Sequence, residues 1–379
     1  MTKKVGKTYI GIDVVEAARR RVSFLFDRFS TIVSCVSGGK DGHVLFELAY
    51  AEAIKRGRPL HVAFLDQELE LESTIDVIRE NMGRPGVVPL WYQVPVQDEY
   101  FISMERGLFH AWEPGVQWMR PKETIAITES PEGFPCGPLY KTGVIETDTW
   151  TRWRDWHSNT MGDDAAILVG DRADETNTRY FLVTRPGVMP EVRWSKKFTA
   201  GASTFYPVYD WSVEDVWGFI AREGIAYNRF YDHYDRIGWP VAKQRAGYLM
   251  SRNSYKRLAD VEDFEPETYE RLVDRTGGLA RVAAAYGREG SMFFAARDIP
   301  NGFQSWRSYR DFLLSEASPE SRAVFIPRFA KCKDADEVHR RQVRQLLSND
   351  IEGFHSLADP KAGKVPPIVS AKSRMECVL

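Results

Sequence analysis

The chain has 379 residues, 43% hydrophobic and 27% charged, which suits one large or two modest domains with a substantial core. A net charge of −2 excludes a globally basic nucleic-acid coat, so any contact with nucleic acid needs a local patch. No apolar run approaches the roughly 18 residues of a membrane span, and the charged start MTKKVGKTYIG lacks the apolar centre of a signal peptide. The expectation is a cytoplasmic protein without a membrane partner.

Cys35, Cys136, Cys332 and Cys377 are far apart, no C-x-x-C occurs, and the seven histidines form no H-x-x-x-H pair. A zinc site or iron–sulfur cluster built from neighbouring ligands is therefore not expected. Cys377 stands third from the end, so the chain also lacks a prenylation box.

Residues 14–29, VVEAARRRVSFLFDRF, carry apolar side chains at helical spacing, and Asp13 can cap their start. TIVSCV then reads as a buried strand, 41–55 as a helix, LHVAFLD (60–66) as a strand, 70–82 as a helix and 87–96 as a strand. Residues 97–160, rich in Trp, Pro and Gly, read as an irregular excursion over the sheet edge. AAILVG (165–170) returns as a strand, GDRADETNTR follows as a loop, and a strand pair is expected across 179–200. Ser212 and Asp215 form a capping box before a helix of about ten residues. From about 230 the pattern is mostly helical, and the proline-containing tail after 356 reads as extended.

Alternating strands and helices predict an α/β fold, a Rossmann-like doubly wound and mainly parallel sheet, with a mostly helical C-terminal part. The expected division is 1–230 for the α/β domain and 231–379 for the helical region and tail.

The run Ser37-Gly38-Gly39-Lys40-Asp41-Gly42 joins a buried strand to a helix. Such a turn offers backbone N–H groups and the positive helix end to an anion. Gly38 and Gly39 permit close approach and positive φ, Ser37 adds a hydroxyl, and Lys40 adds a charge. It is not a Walker A loop, because Ser34 and Asp41 stand where that motif needs Gly and Ser or Thr.

The run resembles the PP-loop, S-G-G-K-D-[ST], of the adenine-nucleotide α-hydrolase superfamily, which includes ATP pyrophosphatases and phosphoadenylylsulfate (PAPS) reductases. Gly42 departs from the motif and removes one hydroxyl. LVGDRADETNTR resembles the family's V-G-x-R-x-x-E-S-x-x-R. The resemblance implies that Arg172 meets the substrate's anionic group, a task that suits a planar guanidinium, and that Glu175 and Arg179 join the nucleotide site. FYPVYDWSVEDVWGFIAREGIAYNRFYDHY resembles a further reductase pattern, with Asp210 as candidate polar lining. IDVVEAARRRVSFLFDRF, FLDQELELESTIDVI and HAWEPGVQWMRP are similar to the IbrA-type proteins. These are PAPS reductase-like coactivators of prophage gene expression, often encoded beside a ParB/sulfiredoxin-like partner.

Three functions are open at this point. In the first, ATP is split between the α and β phosphates and AMP passes to an acceptor. Ser37, Gly38, Gly39, Lys40 and Gly42 hold the phosphates, Lys40, Asp41 and Arg172 carry the catalysis, and Asp66 either meets the ribose or adenine or takes a structural turn role. Mg²⁺ arrives with the nucleotide, and Asp41 either helps hold it or caps the helix. In the second, a PAPS reductase uses Cys377, whose Glu376-Cys377 context keeps part of the reductases' nucleophile motif. In the third, a regulatory protein contacts nucleic acid through residues 241–258, where Lys243, Arg245, Arg252, Lys256 and Arg257 occur without an acid, unless that stretch closes over the bound nucleotide instead.

Overall fold

A computed structural model describes residues 11–99, 108–141, 144–184, 187–189, 192–250, 257–281, 283–284, 299–347 and 357. Cys377, Arg252 and Lys256 lie outside the described residues.

Among them, β1 (Thr31–Cys35), β2 (Leu60–Leu65), β3 (Val87–Tyr92), β8 (Ala165–Leu168), β9 (Ser195–Lys196) and β10 (Ser203–Phe205) form a six-stranded sheet. Its order is β3-β2-β1-β8-β10-β9, and every pairing is parallel except β10 with β9. The chain leaves β1 toward β2 on one side and later returns to β8 on the other. The β1–β8 junction is therefore the switch point where open α/β sheets bind ligands.

Strand alternation sorts the core. Ile32, Val62, Phe64, Ala166 and Leu168 face a cluster with α1 (Val14–Arg28), α2 (Lys40–Arg56), α3 (Glu72–Met82) and α6 (Val213–Glu223). Val33, Ala63, Leu65, Ala165 and Ile167 face the opposite cluster with Phe134 and with Trp153 of α4 (Thr149–Met161). The fold class is the one expected from the sequence, and the Ser212–Asp215 capping box opens α6.

Three local expectations are corrected. The excursion contains α4, started by Asp148 accepting the Thr151 N–H at 2.7 Å, and its buried Trp153 and His157 recur at helical spacing. It also contains two hairpins, β4 (Val96–Glu99) with β5 (Leu108–Ala111) and β6 (Leu139–Lys141) with β7 (Val144–Thr147). Residues Asn177–Thr184 form helix α5 where a strand was expected, and only the short β9 and β10 follow. Finally, α3 starts at Glu72, which leaves Glu70 in the preceding loop.

A second core joins distant parts of the chain. Leu69, Leu71, Val96, Phe109, Trp112 and Met119 pack with Phe230, Tyr231 and Tyr234 of α7 (Phe230–Arg236). Leu258 and Val261 of α8 (Leu258–Phe264) and Leu272 of α9 (Pro266–Arg275) complete it. Helices α10 (Trp306–Glu316), α11 (Pro319–Phe329) and α12 (Asp336–Leu347) follow, with Trp306 and Val343 sharing a small cluster of their own.

Candidate functional site

In the β1–α2 turn Gly38 takes up the positive φ that glycine permits, and Gly39 stays extended at φ −83°. Gly38 sits at φ 66°, and a Cβ there would fall 2.6 Å from Thr74 Cγ2 and 3.2 Å from the Thr74 carbonyl oxygen, so α3 packs too closely for any larger residue. Gly39 is the N-cap of α2 and supplies no side-chain cap. Lys40, the first helical residue, is 4% exposed. Its Nζ lies 3.3 Å from Asp41 Oδ2, 3.4 Å from the Gln244 carbonyl oxygen and 5.1 Å from the centroid of the Tyr231 ring. Burial lowers its pKa, Asp41 opposes that shift, and the charge of Arg172 adds to it.

The β8–α5 loop closes on this turn. A Cβ on Gly170 would come within 2.7 Å of the Asp41 carbonyl and the Gly42 nitrogen, so only glycine lets the two loops touch. Arg172 is buried, and its Nε donates to Asp41 Oδ1 at 2.5 Å while Nη1 donates to Asp174 Oδ1 at 2.6 Å. Its backbone N–H donates to Glu175 Oε1. Glu175 in turn pairs with Arg179 and, at 3.0 Å, with Arg245, and Arg179 also reaches Asp171 at 3.0 Å. Burial raises the pKa of Asp171, opposed by Arg179 and reinforced by Asp41.

These loops border a cavity of about 380 Å³, a size that suits a small organic ligand. Ser37, Gly39, Lys40, Asp41, Gly42, Glu175 and Arg179 line it. Gly38, Asp66 and Arg172 do not border it. Arg172 instead braces Asp41 and Asp174 from behind.

Asp66, given to the ribose or adenine on sequence, is wholly buried. It accepts from Trp91 Nε1 (2.8 Å), Gln93 Nε2 (2.8 Å) and Arg120 Nη2 (2.5 and 2.6 Å). Asp210 likewise stands off the cavity and takes a two-pronged pair from the buried Arg21 at 2.7 and 2.8 Å, which ties α1 to the turn before α6. Cys35 borders the cavity, but burial pushes its thiol up to about 12, so it stays protonated and a poor nucleophile at neutral pH.

One wall of the cavity comes from Tyr231, which the sequence reading did not place there, and from Gln244, Arg245, Ala246, Gly247 and Tyr248, part of the stretch read as touching nucleic acid or closing over a nucleotide. The Tyr231 hydroxyl accepts the Lys40 N–H at 3.2 Å. Within the basic stretch 241–258, Arg245 donates to Glu175 at 3.0 Å. Arg257 stacks over Trp239 at 3.7 Å and Tyr234 at 4.4 Å.

The phosphoadenosine phosphosulfate reductase domain matches residues 31–242 of the sequence, more than half of the chain. The protein belongs to this family. With it comes the PP-loop, adenine-nucleotide α-hydrolase superfamily that the Ser37–Asp41 run suggested. A domain of unknown function, DUF3440, matches residues 215–340. The cavity thus spans the overlap of the two matches, because Gln244 to Tyr248 lie beyond the reductase domain and within the second.

Among whole proteins, the chain is 24% identical over 324 residues to the uncharacterized protein YbdN of Escherichia coli (strain K12), covering 84% of this chain and 78% of that one. Among solved structures it is similar to PAPS reductase from Candida auris in complex with phosphate, at 11% identity and a TM-score of 0.29, over 60% of this chain and 94% of that one. It is also similar to Candida glabrata FMN adenylyltransferase with FMN and the ATP analogue AMPCPP, at 12% identity and a TM-score of 0.34, over 60% of this chain and 64% of that one.

Proposed function

We propose that this PAPS reductase-family protein binds ATP in the cavity at the β1–β8 junction and cleaves it at the α–β bond, passing AMP to an acceptor. A nucleophile of the acceptor attacks the α phosphorus, the bond to the bridging oxygen breaks, and pyrophosphate leaves. The loop Ser37–Gly42 would hold the leaving pyrophosphate, with Lys40 and the first-turn N–H groups meeting its charge. Arg172 would act as a positioning residue by fixing Asp41, and Arg179 and Arg245 would approach the phosphates from the other side.

The observation that favours ATP over PAPS is the charge of the lining. Asp41, Asp171 and Glu175 stand among Lys40, Arg179 and Arg245. Carboxylates beside phosphates repel them unless a divalent cation comes between. Among the described residues no group of three His, Cys, Asp or Glu side chains suits a metal by itself. A nucleotide-borne Mg²⁺ needs only one or two carboxylates beside phosphate oxygens and water, and Asp41 and Asp171 fit that demand. When bound, the ion would neutralise charge on the phosphates.

The similarity to IbrA-type proteins supports a setting in prophage gene expression, in the cytoplasm and beside a ParB/sulfiredoxin-like partner. The engagement of Arg245 and Arg257 within the protein favours the nucleotide site over nucleic acid for the stretch 241–258.

Thermal stabilisation by ATP–Mg²⁺, PAPS and adenylylsulfate, with pyrophosphate release measured in parallel, tests the reading. Ligand at about 100 times its Kd stabilises by roughly 2.7 kcal/mol. The expected result is a shift with ATP–Mg²⁺ that Lys40→Ala abolishes. A shift with PAPS alone would instead favour sulfonucleotide chemistry at Cys377, and no shift with any of them would favour the regulatory role.

A further inference from the structure

The loop between β2 and α3 buries three acids at alternate positions, Asp66, Glu68 and Glu70, each at most 4% exposed. Two of them have arginines. Arg120 grips Asp66, and Arg275 donates to Glu68 at 2.6 and 3.2 Å. Glu68 also accepts the Trp112 and Met119 backbone N–H groups at 2.7 and 3.2 Å, and its own φ is 71°. Glu70 differs in two respects. It borders the cavity, and its Oε2 has no hydrogen-bond partner among the described residues.

A carboxylate buried without a partner is costly, whereas a protonated carboxyl needs only a complementary donor and acceptor. On the β2 side of β1, Ala63, Phe64, Leu65 and Gln67 border the cavity and are apolar or uncharged, whereas Asp171, Glu175 and Arg179 come from the β8 side and Lys40 and Asp41 from the turn after β1. Phosphates belong with the charges, which leaves the β2 side to the base.

We propose that Glu70 is the base-reading residue of the cavity: as a neutral carboxylic acid it donates its O–H to a ring nitrogen of adenine and accepts a 6-amino N–H on its carbonyl oxygen. This deepens the nucleotide reading above and rests on it. The other titratable or charged groups around Glu70 agree. Asp66 and Glu68 on its own loop are negative and Arg120 and Arg275 are spent on them, while Lys40, Arg245 and Tyr248 border the same cavity. Burial and the charge of Asp66 raise the Glu70 pKa well above the ordinary carboxylate value, against the opposing charge of Arg120.

The test measures Kd for ATP, for purine riboside triphosphate, which keeps every ring nitrogen but lacks the 6-amino group, and for inorganic pyrophosphate. Each is titrated with Mg²⁺ into the full chain, Glu70→Gln and Glu70→Ala. A neutral hydrogen bond predicts a preference for ATP over the purine analogue of roughly tenfold in the native chain. Glu70→Gln, which keeps one donor and one acceptor, retains that preference, and Glu70→Ala brings it near unity with pyrophosphate binding unchanged. The proposal is overturned if Glu70→Ala keeps the preference, if it weakens ATP and pyrophosphate equally, or if Glu70→Gln behaves as Glu70→Ala does. Failure of the native chain to bind ATP while it binds pyrophosphate would overturn the base-reading role and leave the phosphate loop standing, whereas binding neither would overturn both.

Discussion

At the β1–α2 turn, the groups bordering the cavity are backbone and a few mutually paired charges, and Gly38 seats the turn against Thr74 where no Cβ fits. In the β2–α3 loop, buried acids are held by Arg120, 54 residues away from Asp66, and by Arg275, 207 residues away from Glu68. Both loops border one cavity, yet the first is shaped by backbone and glycine and the second by side-chain pairs that are long-range in sequence. The difference explains the motif HAWEPGVQWMRP. Its Trp112 donates from Nε1 to the Asp66 carbonyl at 2.7 Å, and its Arg120 donates to the Glu68 carbonyl at 2.6 Å, so the excursion clamps the loop that carries Glu70.

The largest expected effect tests the long-range half. Arg120→Ala strands the Asp66 carboxylate in the interior, and breaking a buried pair in this way costs about 3–5 kcal/mol. Urea unfolding should show that loss, and a change below about 1 kcal/mol would mean that the clamp is dispensable.

The first loop is tested by Gly170→Ala, in the loop that closes on it. Its methyl would overlap the backbone of Asp41 and Gly42, which cannot yield as a flexible side chain would. Nucleotide affinity should fall by more than about tenfold, the equivalent of 1.4 kcal/mol, with a smaller loss of stability than Arg120→Ala causes. Unchanged affinity would show that the two loops need not touch.

Gly42→Ser sharpens the same side. A Cβ there would meet only the Cys35 carbonyl oxygen at 3.6 Å and Val36 Cα at 4.0 Å, both ordinary contacts. Serine restores the motif hydroxyl and suits a helix better than glycine. Calorimetry should find ATP–Mg²⁺ bound about two- to fivefold tighter, the worth of one modest hydrogen bond. Weaker binding would mean that Gly42 serves a ligand shape of its own.

The smallest effect concerns Glu70 and pH. A raised folded-state pKa gives stability that is fully present below the unfolded value and lost as pH rises through the folded one. Glu70→Gln removes that dependence, so its melting temperature should exceed the native chain's at neutral pH, by a margin that widens with pH and vanishes in acid. A constant margin would place the charge of Glu70 in contact with water.

The legible parts of the site are the local ones. Ser37–Gly42 could be read from sequence because glycine conformation and a helix start are properties of six consecutive residues. The cavity wall from Tyr231 could not, since Tyr231 meets Lys40 across 191 positions, and for Gln244–Tyr248 the basic composition fits nucleic acid and a bound nucleotide equally. A motif also cannot show which way a side chain turns. Asp66 and Arg172 occupy the strand ends where ligand contacts are expected, yet both are spent on internal partners. Helix α4 was missed because its tryptophans, met in a Pro- and Gly-rich stretch, read as loop aromatics, although Asp148 and the spacing of Trp153 and His157 carry a helix signal.

The central claim is that an adenine nucleotide binds with its phosphates on the Lys40 loop. Isothermal titration of the full chain with ATP, with and without Mg²⁺ and beside Lys40→Ala, tests it most directly. The account predicts Mg²⁺-dependent binding that Lys40→Ala weakens by roughly 10- to 100-fold, the range for a hydrogen bond to a charged group. ATP binding of equal strength to both proteins would contradict it.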